Sequence, residues 1–84
     1  MQNYNITNLK NLSVQERRDI LRSADSSQIK KIFKKVPPPE TAQIIGGLPS
    51  DELVDILEVF PKSQQAEILE NIETEKARKV SQLL

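Results

Sequence analysis

Residues 13–84 decide the fold, because they divide without gaps into six units of twelve residues. The units read SVQERRDILRSA (13–24), DSSQIKKIFKKV (25–36), PPPETAQIIGGL (37–48), PSDELVDILEVF (49–60), PKSQQAEILENI (61–72) and ETEKARKVSQLL (73–84). The eighth position of every unit is β-branched: Ile20, Ile32, Ile44, Ile56, Ile68 and Val80. The twelfth position is apolar in every unit, and the ninth is apolar in all but the last, which has Ser81. We interpret this register as a structural repeat.

One continuous helix is incompatible with this register. Twelve residues turn a helix by 1200°, so the apolar stripe would move by about 120° from one unit to the next and no face would stay apolar. Pro37, Pro49 and Pro61 would each also remove a hydrogen bond inside such a helix. The first position of a unit therefore indicates where a separate helix starts.

The starts of the units carry capping signals. Ser13 with Glu16, and Asp25 with Gln28, have the spacing of capping boxes. In the units that begin with proline, the fourth position is Glu40, Glu52 or Gln64. An acid there also suits the first turn of a helix. The pair 46–47, both glycine, predicts a helix end with a left-handed residue.

The predicted architecture is all-α, with about six short helices stacked into a superhelix. Helices of about 8–10 residues do not persist alone in water, so they must share a seam built from the eighth, ninth and twelfth positions. The fifth position joins the seam where it is apolar, and Phe33 and Phe60 are expected in the core. Residues 13–84 form the repeat domain. Residues 1–12 repeat the spacing only partly, with Ile6, Leu9 and Leu12, and are expected to be a lead-in segment or a frayed helix.

The composition excludes several classes of function. A chain of 84 residues makes one small domain, and it has no Cys and no His, so thiol nucleophiles, disulfides, Cys/His zinc sites and histidine acid–base chemistry are absent. Three aromatic residues are too few for a base-stacking platform, and nucleic-acid binding is not expected. No apolar run reaches the roughly 18–20 residues of a membrane span. We therefore expect a cytoplasmic helical domain that is not an enzyme.

The net charge of zero conceals two halves of opposite sign. Residues 1–36 have eight basic and three acidic residues, whereas residues 37–72 have one basic and seven acidic residues. The basic half contains Lys30, Lys31, Lys34 and Lys35, with Arg17, Arg18 and Arg22 one unit earlier. An anionic membrane leaflet, a nucleic acid or the acidic half of another copy could face it, although such a run is most often a solvated helix face.

The stretch VPPPETAQIIGGLPSDELVDILEVFPKSQQAEILENI (36–72) resembles the cytosolic N-terminal domain of MgtE-type magnesium transporters. Units of the form L-P-x-x-E-x-A-x-I/L-L-x-x-L recur in that family, and VFPKSQQAEIL (59–69) is the most specific part of the likeness. The resemblance covers about residues 13–84. It implies a right-handed superhelix of short helices.

The resemblance also implies a function and a metal site. The family's domain does no chemistry but regulates magnesium transport, docking on CBS modules of the same polypeptide through Mg²⁺ ions that bridge carboxylates of both partners. Carried over to this chain, those carboxylates are Asp51, Asp55 and Glu67, at third and seventh positions of their units. Mg²⁺ needs only one or two carboxylates from each side, so weak binding that depends on the full-length assembly is expected. A transporter would place the domain at the cytosolic face of the membrane, which it would reach only through other parts of the protein.

A second interpretation is a scaffold. Related short-helix repeats occur in flagellar switch proteins of the FliG type, in which a helical module binds another protein domain without sensing an ion. A response of the chain to magnesium would separate the two interpretations.

Overall fold

Seven helices and no strand make up residues 6–84, the part of the chain that the computed structural model describes. The helices are α1 (Ile6–Lys10), α2 (Val14–Ser23), α3 (Ser26–Ile32), α4 (Pro38–Ile45), α5 (Ser50–Leu57), α6 (Lys62–Glu70) and α7 (Thr74–Leu83). The prediction of an all-α fold with six short repeat helices is confirmed, and α1 precedes them. The expectation of a lead-in segment or frayed helix over residues 1–12 falls partly on residues 1–5, which lie outside the described residues.

The first residue of each unit is the N-cap of its helix, as the capping signals predict. The N-caps of α2 to α7 are Ser13, Asp25, Pro37, Pro49, Pro61 and Glu73. At α3 the Gln28 amide donates to Asp25 Oδ1 and the Asp25 amide donates to Gln28 Oε1, both at 2.9 Å. The same reciprocal pair joins Ser13 and Glu16 at α2. Both predicted capping boxes are therefore confirmed.

The proline N-caps start their helices through backbone geometry alone. Pro37, Pro49 and Pro61 have φ near −60° and ψ near 150°, and none has a side-chain capping bond. The ring fixes φ, and extended geometry at this residue sets the corner between successive helices. The acids at the fourth position are therefore left available for other partners.

The repeat seam forms the core. The eighth position is buried in five units and half-buried at Ile20, while the ninth is buried at Leu21, Phe33, Ile45 and Leu57. Phe33 is buried as expected, whereas Phe60 is only half-buried and packs edge-on against it, with ring centroids 5.8 Å apart. Leu84, the C-cap of α7, departs from the seam pattern and is 43% exposed.

Polar side chains at the fifth position also serve the stack. Arg17 Nε donates to Leu9 O at 2.6 Å, and Gln65 Nε2 donates to Leu57 O at 2.8 Å. Both bonds reach back eight residues, to the end of the preceding helix, where carbonyls have no intrahelical donor. The fifth position therefore contributes to packing in two ways, as a buried apolar residue at Ile29 and Leu53 and as a donor at Arg17 and Gln65.

The two glycines act through space rather than through left-handed geometry. Gly46 is the C-cap of α4 with φ −61°, and no described glycine has positive φ, so the expectation of a left-handed helix end is wrong. A Cβ on Gly46 would lie 2.5 Å from Ala42 O, and one on Gly47 would lie 3.3 Å from Val14. Glycine at these two positions is therefore explained by the close approach of another group, a backbone oxygen at Gly46 and a side chain at Gly47. The left-handed residue is Lys35, with φ 62°.

Helices that are two units apart pack against each other. The main contacts join α4 to α6 and α5 to α7, and α6 also meets α7 while α1 meets α4. The described residues measure 36 × 23 × 19 Å along their principal axes. This packing buries the apolar side of α5 and leaves its opposite side to solvent.

Candidate functional site

Helix α5 presents two of the predicted ligands on its outer side. Leu53, Ile56 and Leu57 are buried, whereas Asp51 and Asp55 are exposed. The two aspartates are four residues apart, so both project from the same face of the helix. The prediction that they share a face is therefore confirmed, but metal binding there stays a prediction.

Glu67 lies in the next helix, α6, and is also exposed. Its neighbour Ile68 is 2% exposed and anchors α6 to the core, which turns the Glu67 carboxylate toward solvent. Within residues 6–84, the carboxylates of Asp51, Asp55 and Glu67 make no ion pair and no hydrogen bond. Their oxygens remain available to an external cation or donor.

The three carboxylates do not combine into one metal centre. In the described part of the chain, no group of three or more Asp, Glu, His or Cys residues is arranged to hold a metal ion. Asp51 and Asp55 lie on α5 instead, and Glu67 lies on α6. A cation bound here would need further oxygen ligands from water or from another protein surface.

Asp55 has different neighbours from the other two. It lines a small cleft of about 50 Å³ together with Arg18, Arg22 and Glu52. Arg18 Nε donates to both carboxylate oxygens of Glu52, at 2.8 and 2.9 Å, and Arg22 Nε lies 3.6 Å from Oε1. The two guanidinium groups offset negative charge near Asp55, which disfavours a cation there relative to Asp51 and Glu67.

The sequence analysis missed a set of ties between distant repeats. Lys10 bonds to Glu40, Arg22 pairs with Glu52, and Lys76 Nζ donates to Gly46 O at 2.8 Å. Each tie joins the tenth position of one unit to the fourth position of a unit thirty residues later. For the two ion pairs, the signal was present as a basic residue at the tenth position and an acid at the fourth, whereas the third tie joins a lysine at a fourth position to a backbone carbonyl at a tenth. The ion pairs hold α4 and α5 against α1 and α2, and the Lys76 bond holds α7 against the end of α4.

Among the basic residues in the first half of the chain, two arginines are half-buried and the lysines are exposed. Arg17 is half-buried against backbone carbonyls, and Arg18 is bound to Glu52, so both stabilise the fold. The four lysines of the second unit are exposed. They make no ion pair with any residue that the structure describes.

A polar groove of about 390 Å³ lies along α7. It is lined by residues of both charges: Ser50, Glu73, Glu75, Lys76, Arg78, Lys79 and Gln82. Two acids face three cations, so the groove does not select for a ligand of one charge. None of the three predicted metal ligands lines it.

None of the helices found between residues 6 and 84 has both the length and the apolarity to cross a bilayer.

Comparison with known proteins identifies a family. The family model described as "MgtE intracellular N domain" matches residues 2–84, which is nearly the whole chain. No curated protein and no solved structure matches the chain. The family match agrees with the resemblance drawn from residues 36–72.

Proposed function

The chain belongs to the family of MgtE intracellular N domains, and from this premise we propose that it docks on CBS modules through shared Mg²⁺ ions to gate magnesium transport. Membership makes the chain a regulatory domain of a magnesium transporter, and the family is not a catalytic one. The docking partner, the bridging ions and the gating step are the proposal. In this proposal the magnesium ligands of the chain are Asp51, Asp55 and Glu67.

The observation that carries the proposal is the outward, unpaired position of these carboxylates. Each is exposed and lacks an ion pair among the described residues, although the chain has cations that pair with Glu40 and Glu52. Carboxylate oxygens are hard ligands that suit Mg²⁺, which keeps several waters and takes one or two carboxylates from each surface. The donor set therefore fits the ion, with the remaining ligands supplied by water and the partner.

Electrostatics supports one direction for the proposed switch. Residues 37–72 carry a net charge of −6, so an acidic partner surface is repelled when no cation is present. Mg²⁺ supplies the positive charge that lets two carboxylate surfaces meet. High magnesium then favours the docked state, and low magnesium releases the domain.

The three ligands are not expected to contribute equally. Arg18 and Arg22 lie in the same cleft as Asp55, and neither Asp51 nor Glu67 lines that cleft. Replacing Asp51 or Glu67 by its amide is therefore expected to weaken magnesium-dependent docking more than Asp55→Asn does.

A magnesium titration followed by amide NMR tests the proposal. The chain is mixed with the CBS modules of its transporter, and Mg²⁺ is raised at constant ionic strength, with Na⁺ as the balancing ion. We expect shifts centred on α5 and the middle of α6, saturating on the order of 1 mM. Glu75→Gln, an exposed carboxylate outside the predicted set, is the matched control and should titrate like the unmodified chain.

The titration also separates the FliG-like scaffold alternative. A scaffold binds its partner equally with and without magnesium, so the amide shifts would depend on the modules and not on the ion. Absence of any magnesium-dependent shift with the modules present contradicts the proposal.

A further inference from the structure

Helices α2 and α5 enclose a small cleft of about 50 Å³ that holds two arginines and two acids. Arg18 Nε donates to both carboxylate oxygens of Glu52, at 2.8 and 2.9 Å. Arg22 Nε lies 3.6 Å from the same carboxylate, and Asp55 makes no ion pair with any described residue. Because Arg18 already offsets the charge of Glu52, Arg22 and Asp55 are the two opposite charges that remain in the cleft.

The Arg22 side chain is held only loosely at this cleft. It is 62% exposed, whereas the side chains of Arg18 and Glu52 are 34% and 15% exposed. An exposed ion pair at such a separation adds little stability, so Arg22 is not needed to hold α2 against α5. The contact of Arg18 with both oxygens of Glu52 already does so. The fold therefore does not account for the charge of Arg22.

Asp55 lies within range of this charge. At physiological ionic strength the Debye length is about 8 Å, and both residues line one small cleft, so ions in solution do not fully screen the guanidinium from Asp55. Arginine keeps its proton at any physiological pH, so the charge is permanent. Neither Asp51 nor Glu67 lines the cleft. Arg22 is therefore placed to act on one of the three proposed magnesium ligands.

We propose that Arg22 is an internal counter-ion of Asp55 and that it sets the magnesium concentration at which the domain docks. This inference rests on the proposed function and adds a threshold to it. A divalent cation reaches Asp55 against the repulsion of the guanidinium, so the ion binds more weakly than it would to the carboxylates alone. Docking then begins at a higher magnesium concentration than it would without Arg22.

The magnesium titration with the CBS modules, followed by amide NMR, measures this threshold. Arg22→Gln keeps a polar side chain but removes the charge. We expect it to lower the magnesium concentration at half-saturation by about threefold, the modest factor typical of one charge in a cleft open to water. Arg22→Lys keeps the charge, so its half-saturation concentration should stay closer to that of the unmodified chain.

Two further variants test whether the effect runs through Asp55. In a chain that already carries Asp55→Asn, Arg22→Gln should leave the half-saturation concentration unchanged, because the counter-ion has lost its acid. Arg78→Gln is the matched control, since it removes the same charge at an exposed arginine that does not line the cleft. It should change the half-saturation concentration by less than about 1.5-fold, because salt screens distant charges. Circular dichroism confirms that all variants are folded.

The possible failures of the two proposals can be told apart. If docking depends on magnesium but Arg22→Gln leaves the half-saturation concentration unchanged or raises it, the role of Arg22 is overturned and the proposed function stands. A lowered concentration that persists in the Asp55→Asn chain overturns the role of Arg22 in the same way. If docking of the unmodified chain does not depend on magnesium, the proposed function is contradicted and the role of Arg22 fails with it.

Discussion

At the scale of single residues, polar side chains donate hydrogen bonds to backbone carbonyls near the ends of short helices. Gln65 donates to Leu57 O at 2.8 Å and to Phe60 O at 3.0 Å, so one amide bonds to two carbonyls around the turn that follows α5, where Leu57 O also accepts from Phe60 N. Arg17 does the same for Leu9 O and Lys10 O at the end of α1. No described buried side-chain nitrogen or oxygen lacks a partner. The fifth position is therefore a point where sequence changes act on the stack.

Gln65→Ala is expected to lower the free energy of unfolding by about 1–2 kcal/mol, because two carbonyls lose a half-buried donor. Gln64→Ala is the matched control, since Gln64 is exposed in the same helix and gains the same helix propensity. It should change the free energy by less than about 0.5 kcal/mol. Urea unfolding followed by circular dichroism measures both, and equal effects would contradict the capping role of Gln65.

The ion pair between Arg18 and Glu52 ties α2 to α5 over 34 residues. The Glu52 side chain is only 15% exposed, and the Arg18 guanidinium contacts both of its oxygens, so the pair is stronger than a fully exposed one. A double-mutant cycle with Arg18→Gln and Glu52→Gln is expected to give a coupling energy of about 1 kcal/mol or more. A coupling energy near zero in urea unfolding would show that the pair does not stabilise the fold.

At the scale of elements, the chain uses two kinds of helix start. The first two repeat helices have reciprocal capping boxes, while α4, α5 and α6 rely on proline. At a proline N-cap the fourth-position acid takes no part in a capping box. Glu40 and Glu52 therefore remain able to pair with Lys10 and Arg18. In α4 and α5 a proline N-cap is thus combined with an acid that ties the helix to a distant repeat.

Asp25→Ala is expected to lower the free energy of unfolding by about 1 kcal/mol, because the Gln28 amide loses its acceptor. Ser27→Ala in the same first turn has no such bond to lose and should have an effect below about 0.5 kcal/mol. Thermal and urea unfolding both report the difference. A loss as large for Ser27→Ala would mean that the cap at Asp25 contributes nothing specific.

The elements show where sequence reasoning succeeded and where it stopped. Caps and seam could be predicted because they depend on residues within one unit, such as Asp25 with Gln28. The ion pair between Lys10 and Glu40 could not be predicted, because it depends on how three repeats turn relative to one another. The glycines were misread for a similar reason, since the contact of Gly47 with Val14 joins units that are far apart in sequence.

For the candidate site, the sequence predicted residue types and outward faces but not their surroundings. The i, i+4 spacing places Asp51 and Asp55 together, and burial of Leu53 and Leu57 confirms their direction. Arg18 and Arg22 lie beside Asp55 because α2 and α5 meet at this cleft. The sequence pattern within one unit could not predict this contact. Magnesium binding itself depends on a partner surface and stays a prediction.

At the scale of the whole molecule, burial is greatest in the middle of the chain. Helix α4 contributes four buried residues and α5 three, whereas α2, α6 and α7 contribute one each. The main contacts join helices two units apart, and α4 and α5 each take part in one of these pairs. Stability is therefore expected to decline from α4 and α5 toward both ends.

Native-state hydrogen exchange measures this gradient. After correction for intrinsic rates, the amides of α4 and α5 are expected to exchange only on global unfolding, and those of α1 and α7 to exchange earlier through local opening. Uniform protection across α1 to α7, or highest protection in α7, would contradict this order.

The proposed function requires that Mg²⁺ join the exposed carboxylates of α5 and α6 to the CBS partner. The dissociation constant between the chain and the CBS modules of its transporter, measured by titration calorimetry with millimolar Mg²⁺ and again with EDTA, tests it most directly. We expect binding at least tenfold tighter with Mg²⁺, and loss of that difference in the Asp51→Asn/Asp55→Asn/Glu67→Gln variant. An affinity that is the same with Mg²⁺ and with EDTA, or a magnesium effect that survives in the triple variant, would contradict the claim.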